Sequence, residues 1–358
     1  MKIKYYQNFI EDERISMDQY SQDLIEYQAK NFDKVDIDFF RPKKDLFSNF
    51  INNKEWKLRY LRYFSYRNQI KKLNEHDVAH VCEQQYAQLV HYLNSKTKFI
   101  TIHDLVPLVF EDKLNHNPIL NKYSLKYLKY YNKVFAISEN TKRDILKYTD
   151  CPEEKIIVIM RSVESFFNND PIDKKKVCEK FSIPFKKKKI LISGNIFYKN
   201  FDFSKKVLDK LCEDRDDVIF IHIGSGNNKN KKKNHDKIFN IPYIDRTDLP
   251  SIYKISDMLL YPSIYEGFGM PLLEALSCGL PIICSNNSSI PEVVGDAALM
   301  YSHYDTKIFV KNINNVLDDE KFHDNLSKKS VERAKIFSQE KFHQNLINNY
   351  KKELSIEN

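Results

Sequence analysis

Residues 261–298 read YPSIYEGFGMPLLEALSCGLPIICSNNSSIPEVVGDAA, and this stretch decides the fold. Apolar residues 258–261 form a strand candidate, a Gly-Phe-Gly-Met-Pro turn follows, and a helix-like run ends at Gly279. Pro271 suits the first helical position, where a missing N–H costs nothing. Gly279 suits the residue just beyond the helix, and Pro281 prevents continuation. The segment therefore reads strand, glycine turn, helix, strand. The start of such a helix presents backbone N–H groups and the positive end of a dipole, which together favour an anion. Gly267 and Gly269 allow backbone to approach a ligand closely. Glu274 is expected in the first turn, near that anion, and Glu266 just before the turn. Both carboxylates can accept hydrogen bonds from hydroxyls. A phosphate flanked by two hydroxyl-gripping carboxylates suits a nucleotide-sugar.

Glu266 and Glu274 stand eight apart, and the residues around them are as informative as the pair itself. The segment resembles the E-x7-E signature of retaining GT-B glycosyltransferases, specifically glycosyltransferase family 4, over roughly forty residues. The resemblance implies two Rossmann-like domains facing across a cleft. It also implies transfer of a hexose from a nucleotide-diphosphate sugar, with anomeric configuration retained.

The rest of the chain is consistent with an α/β protein of two doubly wound domains. Its 358 residues suit two domains, and 42% are hydrophobic. Strand candidates 2–7, 35–40, 78–82, 99–102, 134–137 and 156–159 alternate with helical patterns. The second half repeats this with 190–193, 218–223, 258–261, 281–284 and 298–301. Such alternation predicts parallel sheets covered by helices. The break at 165–175 sets expected domains of 1–168 and 169–337. The resemblance implies that the terminal helix, 338–358, returns to the first domain.

No apolar run reaches the roughly 20 residues that span a bilayer, and the N-terminal residues lack a signal-peptide pattern. Six scattered cysteines without a C-x-x-C predict reduced thiols in the cytoplasm. The net charge is +8, with basic runs at Lys186–Lys189 and Lys229–Lys233. These suggest peripheral association with the inner membrane face or simply solvated loops. Nucleic acid is not expected as a partner, because no basic-aromatic module is present.

All seven glycines lie at or beyond Gly194, which places phosphate binding in the second domain. Gly194, Asn195 and Lys199 lie in a loop after a strand that resembles the family's phosphate loop. Lys199 matches its lysine, while Tyr198 stands where an arginine is usual. The first βα loop lacks the family's glycine pair and offers Arg14 and Ser16 instead. By resemblance, Gly224 and Ile244 line the base pocket, and Glu266, Gly267, Phe268, Gly269, Met270, Pro271, Leu272 and Glu274 hold the donor. Glu274 takes ribose, Glu266 the sugar's hydroxyls and Lys199 the diphosphate. His103, at a strand end, is implied to meet the sugar, and Asp104 to orient its loop. The implied catalytic set is His103, Lys199 and Glu266.

No metal site and no cofactor beyond the donor substrate are expected. Asp36 and Asp38 spell a D-x-D, but they alternate along a strand. His76 and His80 lie in a strand pattern that separates them. Ser138 is read as a helix cap. The acceptor implied by the resemblance is a glycan or lipid-linked hydroxyl. The alternatives are a nucleotide-sugar-binding protein without catalysis, or an epimerase or hydrolase acting on the nucleotide-sugar alone.

Overall fold

The computed structural model describes residues 1–113, 118–224, 236–302 and 304–357. The chain divides into two compact units, Met1–Met160 with Glu340–Asn358, and Arg161–Gln339. The division falls eight residues before the expected boundary.

The first unit holds a parallel sheet of β1 (Lys2–Tyr6), β2 (Asp36–Phe40), β3 (His76–Val81), β4 (Ser95–Ile102), β5 (Lys133–Ala136) and β6 (Ile156–Val158). Their order is β2-β1-β3-β4-β5-β6. Both faces of this sheet are covered, and β1 and β3 are buried along nearly their whole length. Ile3, Tyr5, Val78, Phe99 and Phe135 pack with Leu346, Ile347 and Tyr350 of the terminal helix Gln339–Glu357. Ser138 caps Glu139–Tyr148 by accepting from Thr141 N at 3.0 Å.

The second unit holds β7 (Lys188–Ser193), β8 (Val218–Ile223), β9 (Ile238–Ile241), β10 (Met258–Tyr261), β11 (Ile282–Ser285) and β12 (Leu299–Tyr301). All pairs are parallel, in the order β12-β11-β10-β7-β8-β9. The chain therefore runs outward from β7 to β9, then crosses back to place β10 on the other side of β7. That reversal is a topological switch point, where open α/β sheets bind ligands at the carboxyl ends of their strands.

Three elements depart from simple patterning. The helical pattern of residues 54–73 divides into Lys54–Tyr60, a π turn Leu61–Ser65, and Tyr66–Ile70. The helical pattern around residues 123–131 is the end of Pro118–Leu125 followed by a 3₁₀ turn, Leu128–Tyr130. Strand β9 had no counterpart in the pattern, since it is short, half-buried and interrupted by Asn240.

Three side chains of the D-x-D and His76/His80 patterns meet protein groups. Asp38 accepts from Lys4 at 2.9 Å and faces His76 at 3.3 Å. Burial works to raise its pKa, but the Lys4 and His76 hydrogen bonds and the Phe39 backbone hold it below the usual value. His80 is fully buried, with Nδ1 2.5 Å from Tyr350 Oη and Nε2 2.8 Å from Thr101 Oγ1. Burial lowers its pKa from the ordinary 6.5 to about 3. Below pH 6.5 the unfolded chain then binds a proton that the folded state refuses, so stability is lost as pH falls from 6.5 toward 3. The expected contribution is at most about 1.4 kcal/mol per pH unit. Guanidinium unfolding of His80→Gln should show a shallower acid slope than the parent; an identical slope would remove His80 from the account.

Candidate active site

The site grows from the two loops that leave the switch point. After β7, residues 194–199 close with a single 3₁₀ turn, Phe197–Lys199. After β10, residues 262–269 run into the helix Met270–Ser277. Ile264 N donates to Tyr198 O at 2.7 Å and ties the loops together. Gly194 has φ +80°, and a Cβ there would meet Lys199 Cγ at 3.0 Å, so the bare backbone makes room for the lysine stem.

The Lys199 ammonium donates to Tyr261 Oη at 2.6 Å and to Glu266 Oε1 at 2.7 Å. The Tyr261 hydroxyl donates to the same carboxylate oxygen at 2.8 Å. Tyr261 and Glu266 are buried, and Lys199 nearly so. Burial, then the Glu266 charge, push the Tyr261 pKa well up, so the phenol stays a donor. Two predicted site residues, Lys199 and Glu266, are thus brought together, with Tyr261 as an unforeseen third. An ammonium has three donors, and two serve Tyr261 and Glu266.

The loop carrying Glu266 is fastened by the SSIPEVV segment. Glu266 N donates to Ser288 Oγ at 2.8 Å, and Ser289 Oγ lies 3.0 Å from both the Glu266 and Phe268 carbonyls. Its single hydroxyl proton serves these in turn. Gly267 is half-buried and Phe268 buried, edge-on to Phe337. Gly269 has φ +99°, and a Cβ would meet Leu272 Cδ1 at 3.0 Å, so only glycine fits. Met270 and Pro271 are half-buried and Leu272 is buried.

The helix register differs from expectation. Met270 is the first helical residue, so Pro271 is second and Glu274 lies beyond the first turn. Gly279 N donates to Leu276 O at 3.0 Å and Leu280 N to Ala275 O at 2.9 Å, the predicted C-terminal stop. Glu274 is buried and accepts from Arg246 Nη1 and, at 2.6 Å, from Tyr253 Oη. Arg246 also binds Glu164 through two hydrogen bonds of 3.0 and 2.7 Å, and its guanidinium lies 4.4 Å from the Phe167 ring centroid. Burial opposes the Arg246 charge, but Glu274 and Glu164 raise its pKa. Glu274 is thus held within a protein ion network. Sequence reasoning passed over Arg246 although it stands two residues after Ile244. One arginine in a lysine-rich chain carries no local signal.

Of the residues read as a base pocket, Gly224 donates its N–H to Ile241 O at 3.1 Å, and Ile244 is half-buried. Ser225 and Gly226 lie outside the described residues, as does Lys229–Lys233. Asn195 is exposed. His222, stacked on Phe201 at 4.4 Å, donates from Nε2 to Gly194 O at 2.9 Å. Burial lowers its pKa, so the ring braces the backbone of the loop after β7 in its neutral form. In the other basic run, Lys189 is buried and donates to the Phe185 and Lys187 carbonyls, so that run is partly structural.

In the first unit, His103 directly follows β4 and is buried. Its Nε2 donates to the Cys82 carbonyl at 2.9 Å, and its ring lies edge-on to Tyr20 at 4.6 Å. That nitrogen is engaged by the carbonyl of Cys82, the residue just after β3. Asp104 Oδ1 accepts from Val106 N at 3.1 Å and orients its loop. Arg14 pairs with buried Glu83 at 2.5 Å. His103→Ala is expected to lower thermal stability by about 1–3 kcal/mol, the cost of an orphaned buried partner. Calorimetric affinity for a bare nucleotide should not change, since the loops described above belong to the other unit.

Residues 173–333 match the family described as Glycosyl transferases group 1. O-antigen chain mannosyltransferase B of Escherichia coli is 42% identical over 109 residues, 30% of this chain and 29% of that protein. Serotype-specific mannosyltransferase WbdA of Escherichia coli is 23% identical over 260 residues, 66% of this chain and 31% of that protein. The chain thus spans under a third of the length of these relatives. Among solved structures, sucrose-phosphate synthase from Thermosynechococcus elongatus superposes with a TM-score of 0.79 at 14% identity, covering 99% of this chain and 100% of that one. The chain has the GT-B fold, and the match to the group 1 glycosyl transferases is confined to its residues 173–333.

Proposed function

We propose that the protein is a metal-independent glycosyltransferase that moves a hexose from a nucleotide-diphosphate sugar to a glycan or lipid-linked hydroxyl, with retention. GDP-mannose is the first choice of donor and a UDP-sugar the second. The observation that carries this reading is the Lys199–Tyr261–Glu266 cluster at the β7/β10 switch point. It puts a cation and a hydroxyl-accepting carboxylate side by side, next to a glycine-led helix start. The mannosyltransferase names of two relatives support mannose, and their O-antigen and serotype roles support a surface-glycan acceptor. Among the described residues no helix is long and apolar enough to cross a membrane, and we place the reaction in the cytoplasm.

In this mechanism Lys199 and the start of Met270–Ser277 meet the diphosphate, where negative charge grows as the sugar–oxygen bond breaks. Glu266 accepts from the sugar's hydroxyls. Its Oε1 is already bound by a cation and a phenol, which makes it a poor nucleophile. The acceptor oxygen therefore attacks on the face the leaving group departs from. A bond forms from that oxygen to the anomeric carbon, the carbon–phosphate oxygen bond breaks, and the phosphate oxygen takes the acceptor's proton.

The test is nucleoside diphosphate release from GDP-mannose and UDP-hexoses, with and without glycan acceptors. Release should depend on acceptor and persist in EDTA. Equal release without acceptor would indicate a hydrolase or epimerase. Tight binding without turnover would indicate a binding protein. Loss in EDTA with rescue by Mn²⁺ would overturn metal independence.

A further inference from the structure

The charge of this chain is concentrated in one place. Residues 41–72 hold ten lysines and arginines against Asp45 and Glu55, a net of +8 that equals the excess of the whole protein. Five of these cations are ion-paired: Arg41 with Asp18, Lys44 with Glu11, Lys54 with Glu13, Arg59 with Glu55 and Arg62 with Asp12. Among the described residues, no carboxylate pairs with Lys43, Lys57, Arg67, Lys71 or Lys72.

The same stretch exposes large apolar side chains. Leu46 is 83% exposed, Phe50 81% and Trp56 63%, and Phe47 and Phe64 are more than half exposed. The fold explains why they point outward. The 3₁₀ turn Phe47–Phe50 buries only Ser48. Across the helical run 54–70 the buried positions are Leu61, Ser65, Tyr66 and Ile70, which leaves Trp56 and Phe64 outside. The aromatic rings form one surface: Phe47 lies 5.0 Å from Tyr60, and Tyr60 stacks on Phe64 at 6.2 Å. Arg59 sits 5.0 Å over Trp56, and Arg67 4.9 Å over Phe64.

We infer that this face of the first unit docks on an anionic lipid surface. An exposed apolar patch of this kind calls for an occupant. Protruding phenylalanine, leucine and tryptophan side chains ringed by unpaired lysines match the headgroup boundary of a negatively charged leaflet. There the rings enter the acyl edge and the cations meet lipid phosphates. The inference is independent of the donor site, which lies in the other unit.

Trp56 is the sole tryptophan, so its fluorescence reports the encounter directly. The intact protein is titrated with phosphatidylcholine vesicles, with and without phosphatidylglycerol. A blue shift and co-sedimentation are expected only with the anionic vesicles, weakening as salt is raised. Lys43→Ala, Lys57→Ala, Lys71→Ala and Lys72→Ala together should weaken binding by about a hundredfold or more. Leu46→Ser with Phe50→Ser should weaken it while leaving the unfolding temperature unchanged. Equal binding to neutral vesicles would overturn the inference, as would unchanged affinity in both folded variants. A blue shift with a rise in protein mass and no vesicle requirement would assign the face to self-association instead.

Discussion

Lys199→Ala is expected to lower the rate of sugar transfer by about 10²–10³-fold, the scale seen when a group stabilising transition-state charge is removed. The effect on nucleotide affinity should be smaller. The ammonium lies 2.7 Å from Glu266 and 2.6 Å from Tyr261, so it is already held in place at the switch point, where the proposed mechanism puts the growing leaving-group charge. An interaction that strengthens along the reaction lowers kcat more than it weakens binding. The substitution also leaves Glu266 buried without its cation, so thermal unfolding must be compared first. Lys199→Met keeps more of the aliphatic packing beside Gly194 and serves as the second variant. A kcat within twofold of the parent in a folded variant would rule out Lys199 as the phosphate lysine.

Glu274→Ala is expected to cost about 3 kcal/mol of stability, the scale for breaking a buried ion pair. Tyr253, fully buried, loses its acceptor, and Arg246 keeps only Glu164 of its two carboxylates. For a unit of this size that is a fall of roughly 6–12 °C in the unfolding temperature. This structural role and the ribose role separate in Glu274→Gln, which retains an oxygen for Tyr253. If that variant unfolds near the parent temperature and still loses nucleotide affinity, Glu274 holds ribose. If it loses stability and keeps affinity, Glu274 serves the Arg246 network alone.

The architecture was legible because parallel strands buried on both faces are short apolar runs, and glycine and proline punctuate them. Residues 258–285 illustrate this, since the β10 strand, the helix and its stop at Gly279 all follow the reading. The error there was one of register. Gly269, rather than Met270, precedes the helix, which moves Pro271 to second place and Glu274 past the first turn. Lys199 and Glu266 were each read as candidate site residues, but their pairing across 67 positions was not legible. The same holds for Arg246 with Glu164, 82 positions apart, and for the serines that fasten Glu266. Contacts of that separation leave no periodicity. The π turn at 61–65 was hidden because its residues suit an ordinary helix. His103 was placed correctly at a strand end, but the carbonyl that its Nε2 meets lies 21 residues away.

The central claim is that the loops after β7 and β10 seat the diphosphate of a nucleotide-sugar. Calorimetric titration of the intact protein with GDP, GMP and guanosine, and with the uridine series, tests it most directly. In the correct base series the diphosphate should bind at least about tenfold more tightly than the monophosphate, a difference of roughly 1.4 kcal/mol, and Lys199→Ala should erase that increment. Equal affinity for diphosphate and monophosphate in both series, or an increment that survives Lys199→Ala in a folded protein, would contradict it.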